Sequence, residues 1–107
     1  MRNLNLIADA SGKIGIGFIA TNHTDNLVLV ANTAKTYTIP TGASVLLFSG
    51  TAPFWVNWYT TAVVPSGDVT SGAGQCLNPM LRGIPDDVTA ISIISAVDCK
   101  LSIEALG

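Results

Sequence analysis

Short apolar runs recur along the chain, and residues that favour turns separate them. The runs are about five to eight residues long and rich in β-branched side chains, with Gly, Pro, Asn, Asp and Ser between them. No window carries apolar residues at i, i+3, i+4 and i+7 over the length of a helix. This spacing is typical of a sandwich or small barrel. The pattern therefore predicts an all-β fold, either a small antiparallel β-sandwich or a jelly-roll-like barrel.

The way in which each run alternates predicts where its strand lies. Residues 35–39 alternate, with Tyr37 and Ile39 on one face. Residues 45–48 are apolar on both faces, which favours a central strand. A further apolar strand is expected at 27–31, after a polar loop at 21–26. The last two runs, 88–95 and 99–106, are separated only by residues 96–98, and we expect them to form an antiparallel hairpin.

Residues 54–59 form the strongest predicted strand. Alternation divides it into two faces, with Phe54, Val56 and Trp58 on one and Trp55, Asn57 and Tyr59 on the other. We expect the first set to fill the core, since aromatic side chains supply large buried areas. The second set then lies under a loop, against a neighbouring subunit or on a ligand, and the sequence leaves these three alternatives open.

The segment 65–87 interrupts this pattern. It holds several glycines and prolines and few apolar runs. More than about twenty residues without a strand is unusual in a compact domain, and such segments are usually functional. We expect a long ordered loop here, within a single β domain that covers residues 1–107.

The chain is poor in charged residues. They make up 11% of its 107 residues, against about 25% in ordinary soluble domains, while apolar residues reach 49%. A chain of this length forms one domain with one core. Two explanations stay open for the remaining surface: it is rich in hydroxyl groups, or much of it is buried against other subunits.

Charge and hydropathy also argue against several partners. The net charge is −2 and the lysines and arginines do not cluster, so nucleic acid is not expected as a partner. The longest helix-sized apolar stretch, residues 14–20, is too short to span a membrane and holds two glycines. The first residues lack the apolar run of a signal peptide. We therefore expect synthesis in a cytoplasm and no membrane partner.

No group of residues predicts catalysis. His23 is the only histidine and lies in a polar loop, where a solvated turn residue is expected. Cys76 and Cys99 lack the spacing of a zinc site, and we expect free thiols, with a disulfide between them as the alternative. The Asp86–Asp87 pair follows Pro85 and is interpreted as a turn rather than a calcium site. The expectation is a protein without enzymatic activity, metal or cofactor.

Segments from Tyr37 onward follow one another in a familiar order. They are Tyr37-Thr38-Ile39-Pro40-Thr41-Gly42-Ala43, Val45-Leu46-Leu47-Phe48-Ser49, Phe54-Trp55-Val56-Asn57, Val64-Pro65-Ser66-Gly67-Asp68-Val69, Leu77-Asn78-Pro79, and Ile91-Ser92-Ile93-Ile94 followed by Leu101-Ser102-Ile103. This order resembles small tailed-bacteriophage virion structural proteins over about two-thirds of the chain. None of these segments is a catalytic motif.

The resemblance implies a short β-sandwich or jelly-roll-like protein on the virion surface, made in the host bacterial cytoplasm. It suggests a head decoration, or cement, protein, although a tail or neck location is equally compatible with the sequence. Such proteins often act as trimers on the lattice of the major capsid protein. It thus implies a homo-oligomer, with a trimer favoured, that binds the major capsid protein or other virion proteins. Residues 1–35 have no counterpart in the resemblance and are interpreted as an N-terminal arm or exchanged strands.

Two sets of residues are the interface candidates of this hypothesis. They are the outward side chains of the 54–59 strand and the Leu-Asn-Pro segment, namely Trp55, Asn57, Tyr59, Leu77, Asn78 and Pro79. The alternative hypothesis is a carbohydrate-binding β-sandwich module. It predicts that Trp55 and Tyr59 line an exposed groove, because sugars stack on aromatic rings.

Overall fold

The computed structural model describes residues 22–107 and two strands that precede them. Those strands, β1 (Leu6–Ala8) and β2 (Ile14–Phe18), pair antiparallel with each other. Among the strands that the structure describes, they form a sheet of their own, apart from two larger sheets. The predicted arm over residues 1–35 therefore lies partly outside the described residues.

Residues 22–107 form eight strands, and this part of the chain has no helix. Alternating side chains and turn residues at the strand ends account for the all-β fold that the sequence predicts. The strands are β3 (Thr24–Leu29), β4 (Lys35–Thr38), β5 (Val45–Gly50), β6 (Trp55–Asn57), β7 (Cys76–Leu77), β8 (Leu81–Gly83), β9 (Ala90–Ile94) and β10 (Cys99–Leu106).

The eight strands pair as one long hairpin that is folded over on itself. From the ends inward, the antiparallel pairs are β3 with β10, β4 with β9, β5 with β8, and β6 with β7. Two more antiparallel pairs, β10–β5 and β9–β6, join them into sheets of order β3-β10-β5-β8 and β4-β9-β6-β7. Two four-stranded sheets connected in this way form a jelly roll, so the predicted fold class is confirmed.

The core lies between the two sheets and is made by alternate residues of each strand. Leu46 and Phe48 face it from β5, and Leu101 and Ile103 face it from β10. Ile93 meets them from the opposite sheet and is fully buried. Strand β5 lies between β10 and β8, which confirms that residues 45–48 are a central strand.

The predicted C-terminal hairpin is wrong. Strands β9 and β10 lie in different sheets, and residues 95–98 carry the chain from one sheet to the other. Ser95 is buried at this corner, where its hydroxyl donates to the Pro53 carbonyl at 2.8 Å and accepts the Val97 N–H at 3.3 Å. Alternation predicted both strands correctly. The short connection between them was taken to indicate a hairpin, but a connection of this length can also carry the chain from one sheet to the other.

Two other segments differ from their predictions. Strand β3 begins at Thr24 rather than at residue 27, and residues 24–29 therefore belong to the sandwich. Its first residues were expected to form a loop because they are polar, but polar residues are accommodated in a strand at the sheet edge. The segment 65–87 was expected to lack strands but contains β7 and β8. These strands have two and three residues, which is too short for an alternating pattern to show in the sequence.

Candidate interaction surface

The strand at residues 54–59 keeps its predicted alternation but ends early. Phe54 and Val56 are buried in the core, and Trp58 packs against it. The ring of Trp58 meets Phe48 edge to face, with ring centroids 6.3 Å apart and an interplanar angle of 86°. The predicted core face is therefore confirmed, although β6 itself ends at Asn57.

Asn57 ends the strand and lies inside the fold. Its amide oxygen accepts the N–H groups of Tyr59 at 2.9 Å and Thr60 at 2.8 Å. Its amide nitrogen donates to the side-chain oxygen of Gln75 at 3.1 Å. An asparagine that bonds the backbone two and three residues ahead turns the chain. Asn57 is buried and both polar atoms of its amide form hydrogen bonds within the chain, so it does not contribute free surface.

The segment after Asn57 folds back over the outer side of the second sheet. Ser92 lies on that side of β9, and its hydroxyl accepts the Ala62 N–H at 2.8 Å. Ala62 is only 1% exposed. The segment returns to the same region at Gln75, which bonds Asn57. The outward face of the 54–59 strand therefore lies partly under a loop, one of the three alternatives that the sequence left open.

The Leu77-Asn78-Pro79 segment is hydrogen-bonded to Phe54, the residue just before β6. Asn78 has a left-handed backbone with φ 46°, and its N–H donates to the Phe54 carbonyl at 2.8 Å. Its side-chain oxygen accepts the Phe54 N–H at 2.9 Å. Pro79 is fully buried, so it belongs to the fold rather than to a free surface. Between and beside these anchors, Leu77 is 54% exposed and Met80 is 76% exposed.

Charge is sparse in this part of the molecule, and one cation, Arg82, reaches its rim with the guanidinium 3.7 Å from the Cys76 sulfur. Between Lys35 and Arg82 the only charged residue is Asp68. The outward positions of the second sheet include Trp55, Leu77, Thr36 and Ser92, none of which is ionisable. We call the outer side of the second sheet, with the segment 58–80, the uncharged face. Its exposed large apolar side chains are Tyr59, Val63, Val69, Leu77 and Met80.

The structure thus brings together some of the predicted interface residues and separates others. Trp55 and Leu77 are cross-strand neighbours on the uncharged face, and Tyr59 is 70% exposed beyond the end of β6. Asn78 is exposed, but its side chain is committed to Phe54. Sequence reasoning missed Met80. The signal for Met80 was the stretch between Asp68 and Arg82, which has no charged residue and in which Met80 directly follows the predicted Leu-Asn-Pro segment.

A small cleft next to Tyr59 carries hydroxyl groups. Its volume is about 280 Å³, and its lining includes Thr36, Thr60, Thr61 and Ser92 together with Trp58 and Tyr59. Hydroxyls beside an exposed aromatic ring are groups that contact sugars in binding sites. The amide of Asn57, which also lines the cleft, is already occupied by Tyr59, Thr60 and Gln75.

His23, Asp25 and Tyr37 form a hydrogen-bonded group where β3 begins. The Tyr37 hydroxyl donates to one carboxylate oxygen of Asp25 at 2.6 Å, and His23 Nε2 lies 3.1 Å from the same oxygen. Burial raises the pKa of the Tyr37 phenol well above its usual value, and the hydrogen bond and negative charge of Asp25 raise it further. His23 is half-buried beside a carboxylate rather than a fully solvated turn residue, which differs from the prediction.

The remaining candidate chemistry is sparse in the described part of the chain. Both cysteines are free, with Cys99 buried and Cys76 half-buried, 3.7 Å from the Arg82 guanidinium. Residues 22–107 bring together no group of three or more His, Cys, Asp or Glu side chains that could hold a metal ion. Over the same residues, the structure contains no helix able to cross a membrane.

The fold and this surface define an all-β jelly roll with one uncharged, partly apolar face. Comparison of the chain with protein-family models found no match. Comparison with curated proteins and with solved structures likewise found no significant match.

Proposed function

We propose that this protein is a non-enzymatic structural component of a bacteriophage particle. The role that fits best is that of a capsid decoration, or cement, protein on the virion surface. In this role the chain self-associates, with a trimer favoured, and binds the major capsid protein. The proposal rests on the uncharged face, together with the resemblance of residues 37–103 to small virion structural proteins.

The uncharged face carries the proposal because it has the chemistry of a protein interface. Charged residues are depleted from interface cores, while aromatic residues and Met are enriched there. Tyr59 and Leu77 expose large apolar areas without charged neighbours along the chain, and Met80 exposes another two residues before Arg82. Removing such areas from water contributes about 25 cal/mol per Å². The Asn78 and Asn57 hydrogen bonds fix the backbone around them, so little order has to be gained on docking.

The fold is compatible with this role but does not decide it. Jelly rolls occur in viral capsid proteins and also in lectin domains. Function therefore has to be argued from the surface rather than from the fold. A closed ring of copies would bury the uncharged face by repeating one contact, and symmetric closure prevents open-ended growth.

The test is the solution mass of the purified chain, measured by light scattering over a hundredfold range of concentration. We expect a trimer or another closed oligomer. Met80→Asp should lower the mass of the oligomer, because it places a charge in the apolar face. Val97→Asp is the matched control, since Val97 is 51% exposed at the β9–β10 corner, away from this face. Both variants should keep the circular dichroism of the parent.

A monomer of 11.1 kDa at every concentration would contradict self-association. It would favour the second candidate, a carbohydrate-binding module. The observation behind that candidate is the hydroxyl-lined cleft beside Tyr59, and Trp58 in its lining gives a fluorescence signal. The second candidate requires that added oligosaccharide quench this fluorescence and that Tyr59→Ala abolish the effect.

A further inference from the structure

Strand β3 leaves one of its long edges without a neighbouring strand. It pairs with β10 on one side, and no other strand in the described residues pairs along the other side. The His23 carbonyl accepts the Ala105 N–H at 3.0 Å, which shows that odd-numbered residues direct their backbone groups toward β10. The Val28 carbonyl instead accepts a hydrogen bond from Lys35 Nζ at 3.2 Å, on the opposite side. Thr24, Asn26 and Val28 therefore direct N–H and C=O groups to the open edge.

We infer that a second copy of this chain pairs along this edge, with β3 antiparallel to β3 and Asn26 opposite Asn26. An open edge is a template for another strand. In this register Thr24 of each copy lies opposite Val28 of the other, so all three residues with open-edge groups are paired. A shift by one pair in either direction would leave one of the three unpaired. The result is one continuous eight-stranded sheet with a twofold axis at Asn26.

The charges around β3 match this twofold arrangement. Lys35 reaches the open edge at Val28, whereas Asp25 lies near the other end of β3. When two copies run antiparallel in this register, Asp25 of the second copy lies opposite Leu27 of the first, next to Val28. Each Lys35 then faces Asp25 of the other copy across a strand spacing of about 5 Å. Val28 is paired with Lys100 on β10, and Thr24 is paired with Glu104. Because Val28 of one copy lies opposite Thr24 of the other, Lys100 of the first copy and Glu104 of the second lie in one row across the joined sheet.

The shape of β3 also favours pairing. Its six residue pairs with β10 follow in unbroken register, without a bulge, and the strand contains no proline. Proteins that keep a sheet edge free of partners usually place bulges, prolines or charged side chains on it. The residues whose backbone groups point to the open edge are Thr24, Asn26 and Val28, and their side chains are uncharged and exposed on the outer face of the sheet. Two charged residues lie at this edge among the described residues, Asp25 within β3 and Lys35 beside Val28, and in the pair each gains a partner of opposite charge.

This inference goes beyond the proposed function and does not rest on it. The first test is disulfide trapping in three single-cysteine additions at the open edge: Asn26→Cys, Thr24→Cys and Val28→Cys. Residues directly opposite in a hydrogen-bonded pair have Cα atoms about 5.5 Å apart, within the reach of a disulfide. Thr24 of the two copies would be offset by four residues, or about 14 Å, and Val28 likewise, beyond that reach.

We expect mild oxidation to yield a covalent dimer of Asn26→Cys with a 26–26 linkage, identified by peptide mass spectrometry, and at least tenfold less dimer from the other two variants. Peptide mapping separates this linkage from any bond that involves Cys76 or Cys99. Equal cross-linking at all three positions, or none at position 26, would overturn the twofold register.

A second test uses charge. Lys35→Glu places a carboxylate opposite Asp25 of the second copy and should weaken the β3 contact at least tenfold in sedimentation experiments. Arg82→Glu makes the same change in net charge on β8, at the far edge of the same sheet, and should have no effect. Equal effects of the two variants would overturn the inference. Met80→Asp should leave 26–26 trapping intact, so failure of this contact and failure of the uncharged face are distinguishable.

Discussion

Asp25 joins two other polar side chains, His23 and Tyr37, where β3 begins. One of its carboxylate oxygens receives the Tyr37 hydroxyl and faces His23. The Tyr37 ring is part of the core, so this group ties the first strand of one sheet to the first strand of the other. The raised pKa of Tyr37 means that the folded state favours the protonated phenol.

At the residue scale we therefore predict that the stability of the protein depends on pH in the alkaline range. A phenol whose pKa is higher in the folded than in the unfolded state contributes its full stabilisation below about pH 10 and loses it as the pH rises further. Tyr37→Phe should lower the free energy of unfolding by about 1 kcal/mol at neutral pH, through the lost hydrogen bond.

Urea titrations at neutral pH and above about pH 10 would measure this effect. The gap between Tyr37→Phe and the parent should narrow as the pH rises. Tyr59→Phe is the control, because the Tyr59 side chain is exposed. A gap of constant size from neutral to alkaline pH would contradict the role assigned to the phenol.

Individual elements were predictable from the sequence where side-chain alternation was strong. The core face with Phe54, Val56 and Trp58, and the central position of residues 45–48, follow from alternation and from apolar runs on both faces. Alternation carries no information on which strand pairs with which, so the β9–β10 hairpin was wrong. The two-residue strand β7 gave no pattern because its position depends on Asn78 and Phe54, which are 24 positions apart.

The candidate surface was predictable only in part, for the same reason. Trp55, Tyr59 and Leu77 lie on the uncharged face as outward side chains. Asn57 and Pro79 are buried because of long-range contacts, such as the Asn57–Gln75 hydrogen bond, that no local pattern reveals. The burial of Asn57 also explains why the strand ends there and Tyr59 is released to solvent.

At the element scale we predict that Ser92 holds the covering segment 58–75 in place. Ser92→Ala would leave the buried Ala62 N–H without its acceptor, which costs about 1–3 kcal/mol. Hydrogen exchange of amides near residue 62 should accelerate at least fivefold, whereas exchange in β10 should change less.

Ser92→Thr keeps a hydroxyl at this position and should restore much of the protection. Ser102→Ala is the matched control, since Ser102 lies on the outer side of the other sheet. Unchanged exchange near residue 62 in Ser92→Ala would show that other contacts hold the segment.

Over the whole molecule, charge is distributed unevenly between the two sheets. Lys100 and Glu104 lie on the outer side of the first sheet, and Asp98 accepts the Ala31 N–H near its end, whereas the uncharged face has only Asp68 in its sequence. The two proposed contacts therefore differ in chemistry. One buries apolar side chains, and the other aligns backbone groups and places Lys35 opposite Asp25.

At this scale we predict that the two contacts respond differently to salt. Raising the ionic strength from about 0.01 M to 1 M shortens the Debye length from about 30 Å to 3 Å. In Lys35→Glu, in which the β3 contact is already weakened, the oligomer held by the uncharged face should keep its mass in light scattering. The yield of 26–26 trapping in Asn26→Cys should fall, because screening weakens the Lys35–Asp25 attraction. Dissociation of the Lys35→Glu oligomer in high salt would contradict an apolar contact.

The pairing of β3 with β10 and of β10 with β5 sets the order of events during synthesis of the chain. In the first sheet β10 lies between β3 and β5, so residues 24–29 and 45–50 have no common neighbour until residues 99–106 are made. Folds dominated by such distant pairings form slowly. On the ribosome the first sheet cannot close until residue 106 has left the exit tunnel, so the cell must keep a nascent, highly apolar chain from aggregating until then.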